Sequence, residues 1–94
     1  MITVDQAKDV IEKMKKSEFT SHDFIQWYIK LYEKDYVEGL YEYRNSTNGI
    51  FRAFHSQIGL FLSNEMSDVI RKRDIVLSEN IKDYISENHL WTKL

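Results

Sequence analysis

Cysteine and proline are both absent from this sequence of 94 residues, and glycine occurs only three times. The lack of cysteine excludes disulfides, thiol nucleophiles and thiolate metal ligands. The lack of proline leaves few positions at which a helix must be interrupted. No apolar run approaches the roughly 18 residues that a membrane-spanning helix requires, and no signal-peptide pattern is evident. We therefore expect a single cytoplasmic domain comprising residues 1–94.

The residue types that usually carry catalysis are also sparse. The three histidines, His22, His55 and His89, have no histidine partner three or four positions away, so a metal site is unsupported. The neighbouring His55 and Ser56 point in different directions on a helix and cannot form a nucleophile–base pair locally. No glycine-rich phosphate loop occurs. We therefore expect a non-enzymatic protein that needs no metal or cofactor.

One segment contains no acidic residue, although the chain is acidic overall. The net charge is −2, with 15 acidic and 13 basic residues, so a window of 21 residues should hold about three acids. Residues 44–64 hold none, and they contain Arg44 and Arg52. Because a carboxylate is repelled by phosphate, an acid-free surface suits contact with an anionic partner such as DNA.

Capping signals predict where the first two helices begin. Thr3 and Thr20 are each followed three residues later by a glutamine or an aspartate, which is the pattern of a capping box. The first helical pattern runs over residues 4–16. The aromatic stripe in residues 21–43 fits one long helix or two helices that meet near residues 34–35. We favour two, because a straight helix of that length would overhang so small a core.

A polar loop at residues 44–49 precedes an amphipathic helix at residues 50–63. Its apolar arc consists of Phe51, Phe54, Ile58, Phe61 and Leu62. Gly59 lies beside this arc, where a missing side chain would let another helix approach closely. The opposite arc includes Arg52, Ser56, Gln57 and Asn64, residue types that contact bases and phosphates in a DNA major groove. An ordinary core-packing helix has the same amphipathic pattern, so a role without nucleic acid stays open.

The last thirty residues fit more than one interpretation. β-Branched residues around the basic triplet, residues 71–73, favour a short strand, and residues 89–94 alternate like an edge strand. Residues 78–88 fit either a short helix or the turn of a wing, and their pattern favours the helix. The predicted fold is therefore mainly α: a small helical domain whose C-terminal part allows a short β-hairpin.

This order of elements resembles a winged helix-turn-helix DNA-binding domain over about residues 20–94. The resemblance implies a recognition helix at 50–63, followed by a β-wing with the basic triplet near its tip. The residues that we expect to contact DNA are Arg44, Arg52, Ser56, Gln57, Asn64, Arg71, Lys72 and Arg73. The prediction is a small DNA-binding regulator of bacterial or phage type.

Aromatic residues are unusually numerous, with six Tyr, five Phe and two Trp. One explanation is that a small domain uses large side chains to increase burial. The alternative is that the stripes in residues 27–43 exceed what one core can cover, which favours a protein–protein interaction module, such as an inhibitor or adaptor. The expected interface residues are Trp27, Tyr28, Tyr32 and Tyr36, and a homodimer would cover them.

Overall fold

The computed structural model describes residues 2–94, which form four helices and three strands. In chain order the elements are α1 Val4–Lys13, β1 Glu18–Thr20, α2 Ser21–Leu31, α3 Glu33–Glu42, α4 Ile50–Glu65, β2 Ile70–Glu79 and β3 Ile85–Lys93. The strands form one antiparallel sheet in the order β1-β3-β2. The fold is therefore α/β and not mainly α, because the hairpin is longer than predicted and β1 adds a third strand.

Both predicted capping boxes are confirmed. The Thr3 hydroxyl accepts a hydrogen bond from the Gln6 amide at 3.1 Å, and the Thr20 hydroxyl accepts one from the Asp23 amide at 3.0 Å. In each box the second side chain accepts a hydrogen bond from the backbone of the threonine. α1 ends at Lys13, earlier than predicted, because Met14 adopts an extended conformation. Caps of this kind typically contribute about 1 kcal/mol each.

Residues 21–43 form two helices, as predicted, but they meet at Tyr32 and not at residues 34–35. Tyr32 has φ −132° and ψ 52°, which interrupts the helical geometry for one residue. The predicted loop after α3 is also confirmed, and α4 begins directly after Gly49. Gly49 has a φ of 99°, a conformation that residues with a side chain rarely adopt.

The core lies between the helices and the inner face of the sheet. Its buried side chains are Ile2, Ala7, Val10, Ile11, Met14, Phe19, Phe24, Ile25, Tyr28, Tyr36, Phe54, Ile58, Leu62, Met66, Ile70 and Trp91. The predicted apolar arc of α4 faces this core, with Phe51 and Phe61 half-buried at its margins. The hairpin contributes Trp91, whose indole Nε1 donates a hydrogen bond to Ser21 Oγ at 2.9 Å.

The close approach predicted at Gly59 occurs instead at Gly39. A Cβ atom at Gly39 would overlap the Phe54 ring, whereas a Cβ at Gly59 would meet no heavy atom within 4 Å. Gly39 thus allows α3 to lie against the largest buried side chain of α4. Gly59 faces open space, so its missing side chain serves no packing contact.

We predict that Gly39→Ala lowers the free energy of unfolding by about 1–3 kcal/mol, because the Phe54 ring has to move within a close-packed core. The matched control is Gly59→Ala, which should raise the free energy of unfolding by up to about 1 kcal/mol, since alanine has a higher helix propensity than glycine. Urea denaturation of both variants measures the difference. A Gly39→Ala variant as stable as the wild type would contradict the packing described.

Of the two interpretations of residues 78–88, the favoured helix is wrong: residues 80–84 form the turn of the hairpin, and the flanking residues belong to β2 and β3. Asn80 Oδ1 accepts hydrogen bonds from the amides of Lys82 and Tyr84 at 2.9 and 3.2 Å, and Asp83 has a φ of 65°. An asparagine side chain that binds the backbone two residues on favours a turn over a helix. The strand predicted at residues 89–94 is confirmed as part of β3, but β3 is the central strand of the sheet and not an edge strand.

The order of helices followed by a C-terminal β-hairpin is compatible with the layout of a winged-helix domain. Across residues 2–94, none of the helices is both long enough and apolar enough to cross a membrane.

Candidate nucleic-acid interface

A cleft of about 850 Å³ lies between α4 and the β2–β3 hairpin. One wall is the polar side of α4, which presents Arg52, Ser56 and Leu60. The hairpin forms the other wall and places Lys72 and Lys82 along it, while the start of α2 also lines the cleft. Residues about thirty positions apart in sequence therefore meet across one open cleft.

The exposed side of α4 carries the polar residues predicted for it. Arg52, Ser56, Gln57 and Asn64 are all exposed, and Leu60 is 53% exposed among them. The helix contains no carboxylate before Glu65. Its N-cap, Gly49, offers no side-chain acceptor to the amides of the first turn, and unpaired amides at this end of a helix favour anions. This side of α4 is therefore neutral to positive along most of its length.

The basic triplet lies at the start of β2, beside the helical body, and not near the tip of the hairpin as predicted. Lys72 lines the cleft, with its Nζ 5.8 Å from the centre of the Trp91 ring. Arg73 extends towards Thr92, with 3.5 Å between Nη1 and the hydroxyl oxygen. Arg71 is exposed and does not line this cleft. Of the triplet, only Lys72 therefore joins Arg52 and Ser56.

Lys82, at the tip of the hairpin, is a cleft cation that the sequence analysis missed. Its Nζ lies 5.5 Å from the centre of the Phe51 ring on α4, within the range of a cation–π contact. The interpretation of residues 78–88 as a helix does not place Lys82 beside α4. The signal that could have revealed it is Asn80, since asparagine side chains commonly close turns.

Arg44, Gln57, Asn64, Arg71 and Arg73 are exposed but do not line the cleft. Arg44 stacks on the Tyr41 ring at 4.0 Å and donates a hydrogen bond from Nη1 to the Tyr41 carbonyl. The hairpin also carries acids, and Glu87 lines the cleft itself. Positive charge in the cleft is therefore provided by Arg52, Lys72 and Lys82, against one carboxylate.

A polar network fixes the hairpin to the start of α2. His22 Nδ1 lies 2.8 Å from Ser78 Oγ, and the His22 amide donates to Asn88 Oδ1 at 2.9 Å. Asn88 Nδ2 in turn donates to Ser78 Oγ at 2.9 Å. Burial lowers the pKa of His22, which favours the neutral ring whose Nδ1 can accept a hydrogen bond from the Ser78 hydroxyl. The network therefore holds the hairpin wall of the cleft in place.

His55 lines the cleft but contributes no charge to it at neutral pH. Burial, with a smaller repulsion from His22, lowers the pKa of His55 to about 4. Nε2 of the neutral ring lies 2.7 Å from the hydroxyl oxygen of Tyr36, which is buried. His55 therefore acts as a structural residue that joins α4 to α3, and it is unsuited to binding phosphate at pH 7.

We predict that the free energy of unfolding falls as the pH decreases from about 6.5 to about 4. In this window His55 of the unfolded chain binds a proton and His55 of the folded protein does not, so stability present above pH 6.5 is lost towards pH 4. The loss attributable to His55 is at most about 3 kcal/mol. Urea denaturation of the wild type and of His55→Gln at pH 7 and 4.5 measures it. An equally steep loss in His55→Gln would assign the pH dependence to other groups.

The tyrosine-rich segment contributes less surface than predicted. Tyr28 and Tyr36 are buried, with relative exposures of 0% and 5%, so they are not available to an interface. Tyr28 lies against Phe24 with ring centroids 6.3 Å apart, and Tyr36 lies 5.6 Å from Phe54. Tyr28 and Tyr36 are buried in the same core although they belong to different helices, α2 and α3, which are separated by the break at Tyr32.

Trp27 and Tyr32 are the two expected interface residues that stay partly exposed. The Tyr32 hydroxyl donates a hydrogen bond to Asp9 Oδ2 at 2.8 Å, and this bond lowers the pKa of the Asp9 carboxyl. Lys30 Nζ lies 4.9 Å from the Trp27 ring. Each side chain thus has a contact within the domain, although neither is fully covered.

Among residues 2–94, no three histidine, aspartate or glutamate side chains are grouped so that they could hold a metal ion. The chain matches no protein-family model, and no curated protein or solved structure matches it either.

Proposed function

We propose that the protein is a small DNA-binding regulator of the winged-helix type. The observation that carries the proposal is the exposed, acid-free side of α4, which faces two hairpin cations, Lys72 and Lys82, across an open cleft. The topology supports it: a short strand between the first two helices pairs with a hairpin that follows the candidate recognition helix. In this arrangement α4 enters the major groove and the hairpin contacts the sugar–phosphate backbone.

The proposed roles follow from side-chain chemistry. Arg52 and Gln57 are the candidates for base contacts, because arginine pairs with guanine and glutamine with adenine. The small side chain of Ser56 lets DNA approach α4 closely, and its hydroxyl can bind a phosphate or a base edge. Lys72 and Lys82 would contact phosphates from the hairpin side. Arg44, Asn64, Arg71 and Arg73 are exposed outside the cleft and would contact the backbone of a longer duplex.

The distribution of acids is consistent with binding on one side of the molecule only. Residues 1–43, a range that includes α1, β1, α2 and α3, contain nine acids and six bases, whereas α4 contains a single acid at its last residue. Because each phosphate contact releases counterions, affinity supplied by so few cations should be modest, and it should fall with salt in proportion to the number of phosphate contacts.

An inhibitor or adaptor acting through residues 27–43 is less well supported. Two of its four expected contact residues, Tyr28 and Tyr36, are buried in the core. The cleft, in contrast, is open and lined by residues of the type that DNA-binding helices expose.

We predict that the protein binds random duplex DNA at low salt and that Lys72→Ala/Arg73→Ala weakens this binding. If both cations contact phosphate, the slope of log affinity against log salt should become shallower by about two units. Arg52→Ala and Lys82→Ala should each weaken binding as well, with a change of about one unit where the contact is to phosphate. Fluorescence anisotropy of a labelled duplex between low and moderate salt gives these slopes.

The matched control is Lys8→Ala/Lys15→Ala, which removes the same charge from exposed positions that do not line the cleft. This variant should keep the wild-type slope. An equal effect in the control would show that only net charge matters, and a wild-type protein that binds no duplex even at low salt would eliminate the proposal.

A further inference from the structure

The outer edge of β2 is unpaired along ten residues. Within the described part of the chain, β2 pairs only with β3, so the backbone groups on its other side have no strand partner. Its first half carries the three cations at residues 71–73, the acid Asp74 and a register irregularity between Lys72 and Ile75, and such charges and irregularities discourage further strand pairing. Its second half, residues 75–79, is regular and carries no charge before Glu79, so it lacks this protection.

Exposed apolar side chains accompany the unprotected half of the edge. Ile75 and Leu77 are 60% and 68% exposed, and Ile85 on β3 is 62% exposed. The three lie on one face of the hairpin, because Ile75 and Leu77 are two residues apart and Ile85 pairs with Glu79. A free edge beside an exposed apolar face is a surface suited to one further antiparallel strand.

We propose that the β2 edge binds the β2 edge of a second copy of this chain, with the twofold axis at Val76, so that two three-stranded sheets become one. In this antiparallel register Ile75 lies opposite Leu77 of the second copy, and the reverse pair forms on the other side of the axis. Each copy thereby covers the apolar side chains that the other exposes, as an isologous interface requires.

Charge complementarity selects the second copy as the occupant. Counting outwards from Val76 places Arg73 of one chain opposite Glu79 of the other, with Lys72 next to Arg73 and Asp74 opposite Ser78, and the symmetry repeats these contacts. Neither Arg73 nor Glu79 has an acid or base partner within its own chain, since Lys13–Asp9 is the one salt bridge among residues 2–94. A strand that is basic at its start and acidic at its end is complementary to itself only when the two copies run antiparallel.

The proposed interface shares Lys72 with the cleft, but its apolar residues Ile75, Leu77 and Ile85 do not line the cleft, and its test contains no DNA. Sedimentation velocity over a micromolar concentration series should show a dimer of the full chain. Leu77→Lys should weaken the dimer by about tenfold or more, because it places a cation inside the apolar pairs. The control Leu60→Lys changes an apolar residue of similar exposure on α4, at 53%, and should leave the dimer intact.

Charge reversal tests the register. Glu79→Lys should weaken the dimer by bringing like charges together, and combining it with Lys72→Glu/Arg73→Glu should restore association. Circular dichroism shows whether each variant is folded. The charge-reversal variants change exposed residues, so they still test the interface if Leu77→Lys is unstable. A monomer throughout the concentration series, or a dimer that survives every β2 variant and dissociates with Tyr32→Glu, would overturn the proposal.

Discussion

The pairing of β1 with β3 fixes the position of the hairpin relative to the helices. Only three residues of β1 take part, and Phe19 of β1 pairs with Trp91 of β3. Both side chains are buried, and the Trp91 indole is also hydrogen-bonded to Ser21 at the start of α2. This attachment fixes the base of the hairpin to the helices, so the rest of the hairpin can form the wall of the cleft that faces α4.

A second layer of contacts sets how closely the hairpin approaches the helices. The hydrogen bonds among His22, Ser78 and Asn88 hold the middle of the hairpin, and Lys82 reaches Phe51 from its tip. These contacts use uncharged groups, except for Lys82. Lys72 and Lys82 lie near aromatic rings, and neither forms a salt bridge within residues 2–94, so their charge stays available to a ligand.

Local signals in the sequence predicted the helices well, and contacts between distant residues explain most of what was missed. The caps at Thr3 and Thr20 and the apolar arc of α4 depend on residues within one or two turns of each other, so their pattern is readable. β1 is too short to show alternation and exists because β3 supplies its partner. The burial of Tyr28 and Tyr36 likewise depends on how α2 and α3 diverge, which no single-helix pattern contains.

The candidate site, like the fold, was predictable only where it depends on residues close together in the sequence. The exposed side of α4 follows from helical periodicity, and Arg52 and Ser56 do line the cleft. The contributions of Lys72 and Lys82 depend on the course of the hairpin, so local patterns placed Lys72 at the wrong point of the hairpin and gave no indication of Lys82.

The long separation between Glu18 and Thr92, 74 positions apart, has a consequence for synthesis. The helices can form from local contacts as the chain emerges, but Phe19 and the inner face of the helical body stay uncovered until β3 has been translated. Folding is therefore completed by the last strand of the sheet, and an interrupted chain would expose its core.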